Sequence, residues 1–284
     1  VTEAEDLLLF WPRAQIVRDN WGDKLNPVLV AFLSGRNVRF AQHLPAGAPG
    51  IIHSVIGSHL AAVQPYYVVW GTGFIDTGSV LQQMPRAVTA TRGPLSRAKL
   101  LAAGCDCPPV YGDPALLYPA MHASAAAPEW DLGIIQHVRD AGISPIPPEN
   151  PDLRVRVIDI NGSLTGVVDA ITSCRRIVSS SLHGIIAAHS YGVPAAWVAF
   201  SDRPLGDGFK FRDYWASVGQ EDVQPYRVQP GTTMADLAAL DCPPRRMPDL
   251  QALLEACPFM DAPRRRAVQE ALSRNIRLPQ LIAA

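Results

Sequence analysis

Between residues 155 and 200, short apolar runs alternate with stretches of helical spacing, and this alternation constrains the fold more than any other feature of the chain. Residues 155–160, 177–180 and 195–200 read as strands, and 164–173 and 184–191 as helices. Strands separated by helices imply a mostly parallel sheet covered on both faces. The same alternation runs through the first half, with strands expected at 7–11, 51–56, 66–70 and 87–90 and helices at 23–33 and 94–103. Pro27 falls in the first turn of the 23–33 helix, where its missing donor costs little. Gly104 ends the 94–103 helix. A further strand is expected at 132–138. The alternation breaks between Leu117 and Trp130, where Pro119, the alanines of 123–127 and Pro128 read as a linker. The expected class is therefore α/β, with a Rossmann-like domain over 1–127 and a second over 128–284. Helices expected at 233–240, 250–256 and 264–275 are separated by Cys242-Pro-Pro and Cys257-Pro, and leave room to pack back across the first domain.

A chain of 284 residues, 48% of them hydrophobic, has ample material for such a core. A formal net charge of −1 with no long basic block argues against a nucleic-acid partner. Two short basic groups stand out, Arg245-Arg246 and Arg264-Arg265-Arg266. The second reads as a solvated helix face, with peripheral contact to an anionic membrane surface as the alternative. Five cysteines without a C-x-x-C pair fit reduced thiols. The acidic first residues lack a secretory pattern, and no run approaches the roughly 20 apolar residues of a membrane span. A cytoplasmic protein, with the inner face of the membrane left open, is the expectation.

The densest chemistry lies in Ser179-Ser-Ser-Leu-His-Gly184. It follows a strand and opens a helix, which puts His183 where open α/β sheets bind ligands. Free amide N–H groups and the positive end of the helix dipole favour an anion there, and a histidine can hand that anion a proton. Taken alone, the segment also fits a polar turn with a satisfied histidine. Other strand ends supply company. Asn20-Trp-Gly-Asp23, followed by Lys24, is either a capped turn or a loop facing a cleft. Ile56-Gly-Ser-His59 and Trp70-Gly-Thr-Gly73 are glycine-bearing turns without a full dinucleotide fingerprint. Arg92 in Arg92-Gly-Pro-Leu-Ser96 can make paired hydrogen bonds to a carboxylate or phosphate. His137 ends a strand and Asp202 follows one; in the 206–214 run Gly206 and Gly208 make a flexible loop that Lys210 and Asp213 follow, either a solvated connection or a return to the same cleft. The histidines lack metal-ligand spacing, so no metal site is expected.

With these residues assembled, the chain resembles the polysaccharide pyruvyl transferase family, in particular its exopolysaccharide ketal-forming, succinoglycan-type branch. The pieces in order are Asn20-Trp-Gly-Asp23, Trp70-Gly-Thr-Gly73, Arg92-Gly-Pro-Leu-Ser96, Gly112-Asp-Pro-Ala-Leu116, Gln136-His137, Ser179 to Gly184 with Gly192-Val-Pro194, and Lys210-Phe-Arg-Asp213. The resemblance implies two Rossmann-like domains in a GT-B-like arrangement with the active site in the interdomain cleft. It implies transfer of a pyruvyl group from phosphoenolpyruvate to a sugar of a polysaccharide precursor, lipid-linked or not, with release of phosphate and no cofactor beyond that donor. Arg92, Leu182 through its backbone, and His183 would contact the donor, with His183 as acid. Many relatives carry arginine where this chain has Ser181, so a second cation must come from elsewhere, and Lys210 is the candidate with Lys24 behind it. Asn20, Asp23, Lys24, His137 and Asp202 are candidates for acceptor contacts or the base. The rival readings are a nucleotide-sugar glycosyltransferase of the same architecture and a non-catalytic glycan-binding protein.

Overall fold

The computed structural model describes residues 6–13, 20–45, 49–124, 126–140, 142, 147, 149–240 and 246–275. The acidic first five residues, Ala125 of the expected linker, and Cys242 to Arg245 lie outside them. The chain forms two five-stranded parallel sheets, consistent with two Rossmann-like domains. The first holds β1 (Leu7–Phe10), β2 (Val38–Phe40), β3 (Ile52–Ser54), β4 (Tyr67–Trp70) and β5 (Ala87–Ala90), in the order β2-β1-β3-β4-β5. The second holds β6 (Leu132–Ile135), β7 (Val155–Ile158), β8 (Ile177–Ser179), β9 (Ala195–Ala199) and β10 (Tyr226–Arg227), in the order β10-β9-β8-β6-β7. Every pair is parallel. Read from the other edge, the second order repeats the first: the opening strand has its successor on one side and the remaining three on the other. Each sheet therefore reverses direction once, between β1 and β3 and between β6 and β8. Ligands of open parallel sheets bind beyond the carboxyl ends of the strands at such a reversal.

Helices connect the strands. In the first half these are α1 (Trp21–Ser34) and α2 (Pro94–Ala102); in the second they are α3 (Leu164–Thr172), α4 (Leu182–Ser190) and α5 (Phe209–Ser217). Trp21, Leu25, Leu29 and Leu33 recur every fourth residue along α1 and are fully buried. Each such leucine contributes about 1.5–3 kcal/mol relative to exposure. Asn20 caps α1 by accepting the Gly22 N–H, and Gly35 ends it in the left-handed conformation. Helices α6 (Met234–Ala238), α7 (Leu250–Glu255) and α8 (Ala262–Asn275) complete the chain described. The last two lean on the first half. The Trp70 indole donates to the Leu253 carbonyl at 2.9 Å, Arg264 to Phe32 O at 2.8 Å, and Asn275 to Pro119 O at 2.8 Å.

Four local readings differ from the sequence expectation. Residues 114–120, which include Pro119 of the expected linker, form a buried 3-10 helix, capped by Asp113 and packed against α4 and α8. Residues 206–208 form the turn, but the rest of the 206–214 segment is the start of α5. Gly206 and Gly208 turn the chain, and Phe209, Phe211, Tyr214 and Trp215 then bury themselves. Helix α4 begins two residues early, so His183 lies inside its first turn. Strands β2 and β10 were not anticipated: they are edge strands of three and two residues without a fully buried residue.

Candidate active site

The two reversal points face the same cavity, about 240 Å³ in volume. From the first sheet come Pro12, Asn20 and Asp23 after β1, and Gly57, Ser58 and His59 after β3. From the second come His137 and Arg139 after β6, and Ser181, Leu182 and His183 after β8. Lys210 on α5 closes the wall.

His183 is held from across the sheets. Its Nδ1 lies 3.0 Å from Asn20 Oδ1, and the same oxygen accepts the Gly22 N–H at 3.1 Å. A backbone N–H can only donate, so that Asn20 atom is the oxygen and His183 Nδ1 carries the proton. Nε2 is left as a lone pair with no partner among the described residues. Burial first, then the charges of Lys210 and Arg92 and the neighbouring His137, push the His183 pKa down to about 3. The imidazole of the protein alone is therefore neutral at neutral pH. Gly22 is glycine because the ring lies against it: a Cβ there would overlap the imidazole. Gly22→Ala is expected to keep α1, since alanine is the better helix former by about 1 kcal/mol, yet to swing His183 off Asn20. Turnover should fall at least about tenfold, the factor that 1.4 kcal/mol of lost positioning represents, with the melting temperature close to wild type. Wild-type turnover in that variant would contradict the contact.

No side chain caps α4, so its first amides, Leu182 and His183 among them, remain open to an anion. Lys210 is nine-tenths buried, and no acceptor among the described residues takes its ammonium. Burial, with Arg92 and Arg139 nearby and Asp23 opposing, lowers its pKa to about 8. Asp23 is the one carboxyl of the described wall. Burial raises its pKa to about 7 despite Lys210, with Asp113 adding to the rise. His137 Nδ1 accepts the Arg139 N–H at 3.1 Å, which puts its own proton on Nε2, and burial with Lys210 and Arg139 lowers its pKa to about 3.

Three expected residues are placed elsewhere. Arg92 is fully buried behind the wall. Its Nε and Nη2 meet Asp213 Oδ2 at 3.1 and 3.0 Å, Nη1 donates to Ser58 Oγ at 2.7 Å, and Nη2 to Phe74 O at 2.6 Å. Its donors are spent on protein acceptors, so it does not face a ligand as expected. Lys24 donates to Asn161 O at 2.7 Å and Gly162 O at 2.5 Å, clipping α1 to the loop after β7. It does not line the cavity and is not a reserve cation. Asp202 is exposed, pairs with Arg227 at 2.8 Å, and lines a separate, larger cavity of about 600 Å³ that is also lined by Trp197, Phe211 and Arg212. Leu205 borders both cavities.

Residues 67–202 match the family model described as polysaccharide pyruvyl transferase. This is the family the sequence resembles. The chain is also 33% identical over 175 residues to an uncharacterized protein of Acanthamoeba polyphaga mimivirus. That alignment covers 60% of this chain and 61% of the relative, so the chain spans about three fifths of the relative's length.

The stretch matched to the pyruvyl transferase family contains Arg92, His137, Leu182 and His183, whereas Asn20, Asp23 and Lys210 lie outside it. Two wall residues were missed in the sequence. His59 lies in the turn after β3, its Nε2 near Ser54 Oγ at 2.8 Å and its buried Nδ1 without a partner. Burial and Arg92 lower its pKa to about 4. The Gly-Ser-His turn was visible, but its histidine drew no separate signal. Arg139 shares the β6 strand end with His137, and that proximity was the available clue. No group of three or more metal-ligating side chains gathers among the described residues, and no described helix is long and apolar enough to cross a membrane.

Proposed function

We propose that this chain moves the pyruvyl carbons of phosphoenolpyruvate onto two hydroxyls of a sugar in a polysaccharide precursor, leaving a cyclic ketal and free phosphate. The two sheets then act as the halves of a GT-B-like enzyme with the reaction in the cavity between them. The observation that carries the reading is a small cavity with unpaired cations, an uncapped helix amino end and an imidazole whose Nε2 is free. A phosphorylated carboxylic acid is the ligand such a wall accepts.

The chemistry follows from the residues. The donor brings several negative charges beside His183, and full charges raise the imidazole pKa far more than the half-charge of a helix end lowers it. Protonated His183 gives its Nε2 proton to the donor's methylene carbon. Positive charge develops at the neighbouring carbon, and a sugar hydroxyl attacks it, losing its proton to a base. The second hydroxyl forms the second C–O bond at that carbon as the C–O bond to phosphate breaks, and its proton goes to the departing phosphate oxygen. Asp23 suits the base, because a carboxyl with a pKa near the working pH is efficient in that role. Leu182 offers its amide to the donor, and Asn20 orients His183. The larger cavity beyond Leu205 provides the approach for the glycan.

Thermal unfolding tests the donor. Phosphoenolpyruvate at 100 times its dissociation constant should stabilise the protein by about 2.7 kcal/mol, and a nucleoside diphosphate should leave it unchanged. Stabilisation by the nucleoside diphosphate alone would overturn the reading.

A further inference from the structure

The cavity wall contains a buried donor that nothing in the described protein uses. Arg139 lines the cavity, and its Nε is buried with no hydrogen-bond partner. None of the ion pairs among the described residues involves it. Its backbone is fixed, because the N–H donates to His137 Nδ1 and Asp140, next in the chain, accepts from Ser180 Oγ at 2.8 Å. The Arg139 charge is one of the causes that lower the Lys210 pKa. A buried donor left unpaired costs about 1–3 kcal/mol, and more when charged. Two neighbouring cations without a counter-ion add repulsion. The one carboxyl of the described wall, Asp23, is mostly buried and pushed toward its neutral form, so the protein itself supplies little negative charge. Arg92 differs from both, because its partners are all internal.

We infer that Arg139 and Lys210 form a two-cation clamp for the phosphate group of the donor, while Arg92 acts only as a positioning residue behind the wall. The guanidinium presents two parallel N–H groups to phosphate oxygens, and the ammonium adds a point charge. The identity of the anion rests on the donor reading above; the assignment of the residue rests on the geometry of the wall.

The test is titration calorimetry of the whole chain, wild type against Arg139→Gln and Arg139→Lys, with phosphoenolpyruvate and with inorganic phosphate as probes. Arg139→Gln should weaken both probes by about 10- to 100-fold, the loss of one charge-assisted contact. Arg139→Lys should recover part of the affinity. In turnover, the donor KM should rise by a similar factor with kcat nearly unchanged, a split that a merely structural role would not give. The free Gln variant should unfold at or above the wild-type temperature, because the charge it removes has no internal partner. Wild-type affinity for both probes in Arg139→Gln would overturn the clamp and leave the donor reading standing. If wild type binds phosphate but not phosphoenolpyruvate, and Arg139→Gln loses phosphate, the clamp stands and the donor reading fails. If wild type binds neither probe, both fail.

Discussion

His183→Gln is expected to lower turnover by about 10²–10⁴-fold, the usual contribution of a positioned general acid, while changing the affinity for phosphoenolpyruvate by only a few-fold. Glutamine keeps a polar side chain against Gly22 and Asn20 but cannot deliver a proton to carbon. The large effect follows from how singular the group is. Among the described wall residues, His183 combines a free ring nitrogen with a fixed tautomer and a helix amino end. His137 has its Nδ1 occupied by the Arg139 amide, and His59 lies by Ser54. The measurement is the rate of phosphate release with a glycan acceptor, alongside a donor titration. Turnover within a few-fold of wild type would remove His183 from the mechanism.

Asp213→Ala is expected to destabilise the fold by about 3–5 kcal/mol, the cost of leaving a buried charge without its partner. That is a large share of the 5–15 kcal/mol typical of a folded domain. Asp213 sits on α5 and is fully buried. Its carboxylate takes Arg92, the Ser96 N–H at 2.8 Å and the Ser96 hydroxyl at 2.6 Å. The Asp213 carbonyl also lies so close to Gly93 that a Cβ there would collide with it. Arg92, Gly93 and Ser96 are therefore all read by one residue of the other half, and the motif is a lock between α2 and α5. The double variant Arg92→Leu, Asp213→Leu should recover part of the loss, since neither charge is then stranded. Denaturant midpoints measure both. A single Asp213→Ala within 0.5 kcal/mol of wild type, the scale of an ordinary surface change, would contradict the lock.

The same motif shows how far the sequence could be read. Arg92 stood out because arginine at a strand end before a helix suits an anion. Nothing local showed that Asp213, 121 positions along the chain, would claim it. Pairing at that separation is decided by the packing of the two halves. The βα alternation was legible because strand and helix periods are local, and so was the placement of His183 at the strand-to-helix junction after β8, although α4 starts early enough to include it. Helix α5 was not, because two glycines open it and its apolar residues cluster without a clean stripe. The switch-point geometry was only half visible. The loops after β1 and β8, the glycine-bearing turn after β3 and His137 after β6 were all noted, but His59 and Arg139 were given no role, because the order of strands in space is not written in any one segment. Lys24 illustrates the opposite error: a cation beside a promising loop was read as a ligand contact, and it instead ties down two carbonyls.

A crystal structure of the chain with phosphoenolpyruvate tests the account most directly. The phosphate should lie between Lys210 and Arg139, with the methylene carbon facing His183 Nε2 and Arg92 still bound to Asp213. A donor bound away from the His183 wall, or one held by an Arg92 released from Asp213, would contradict it.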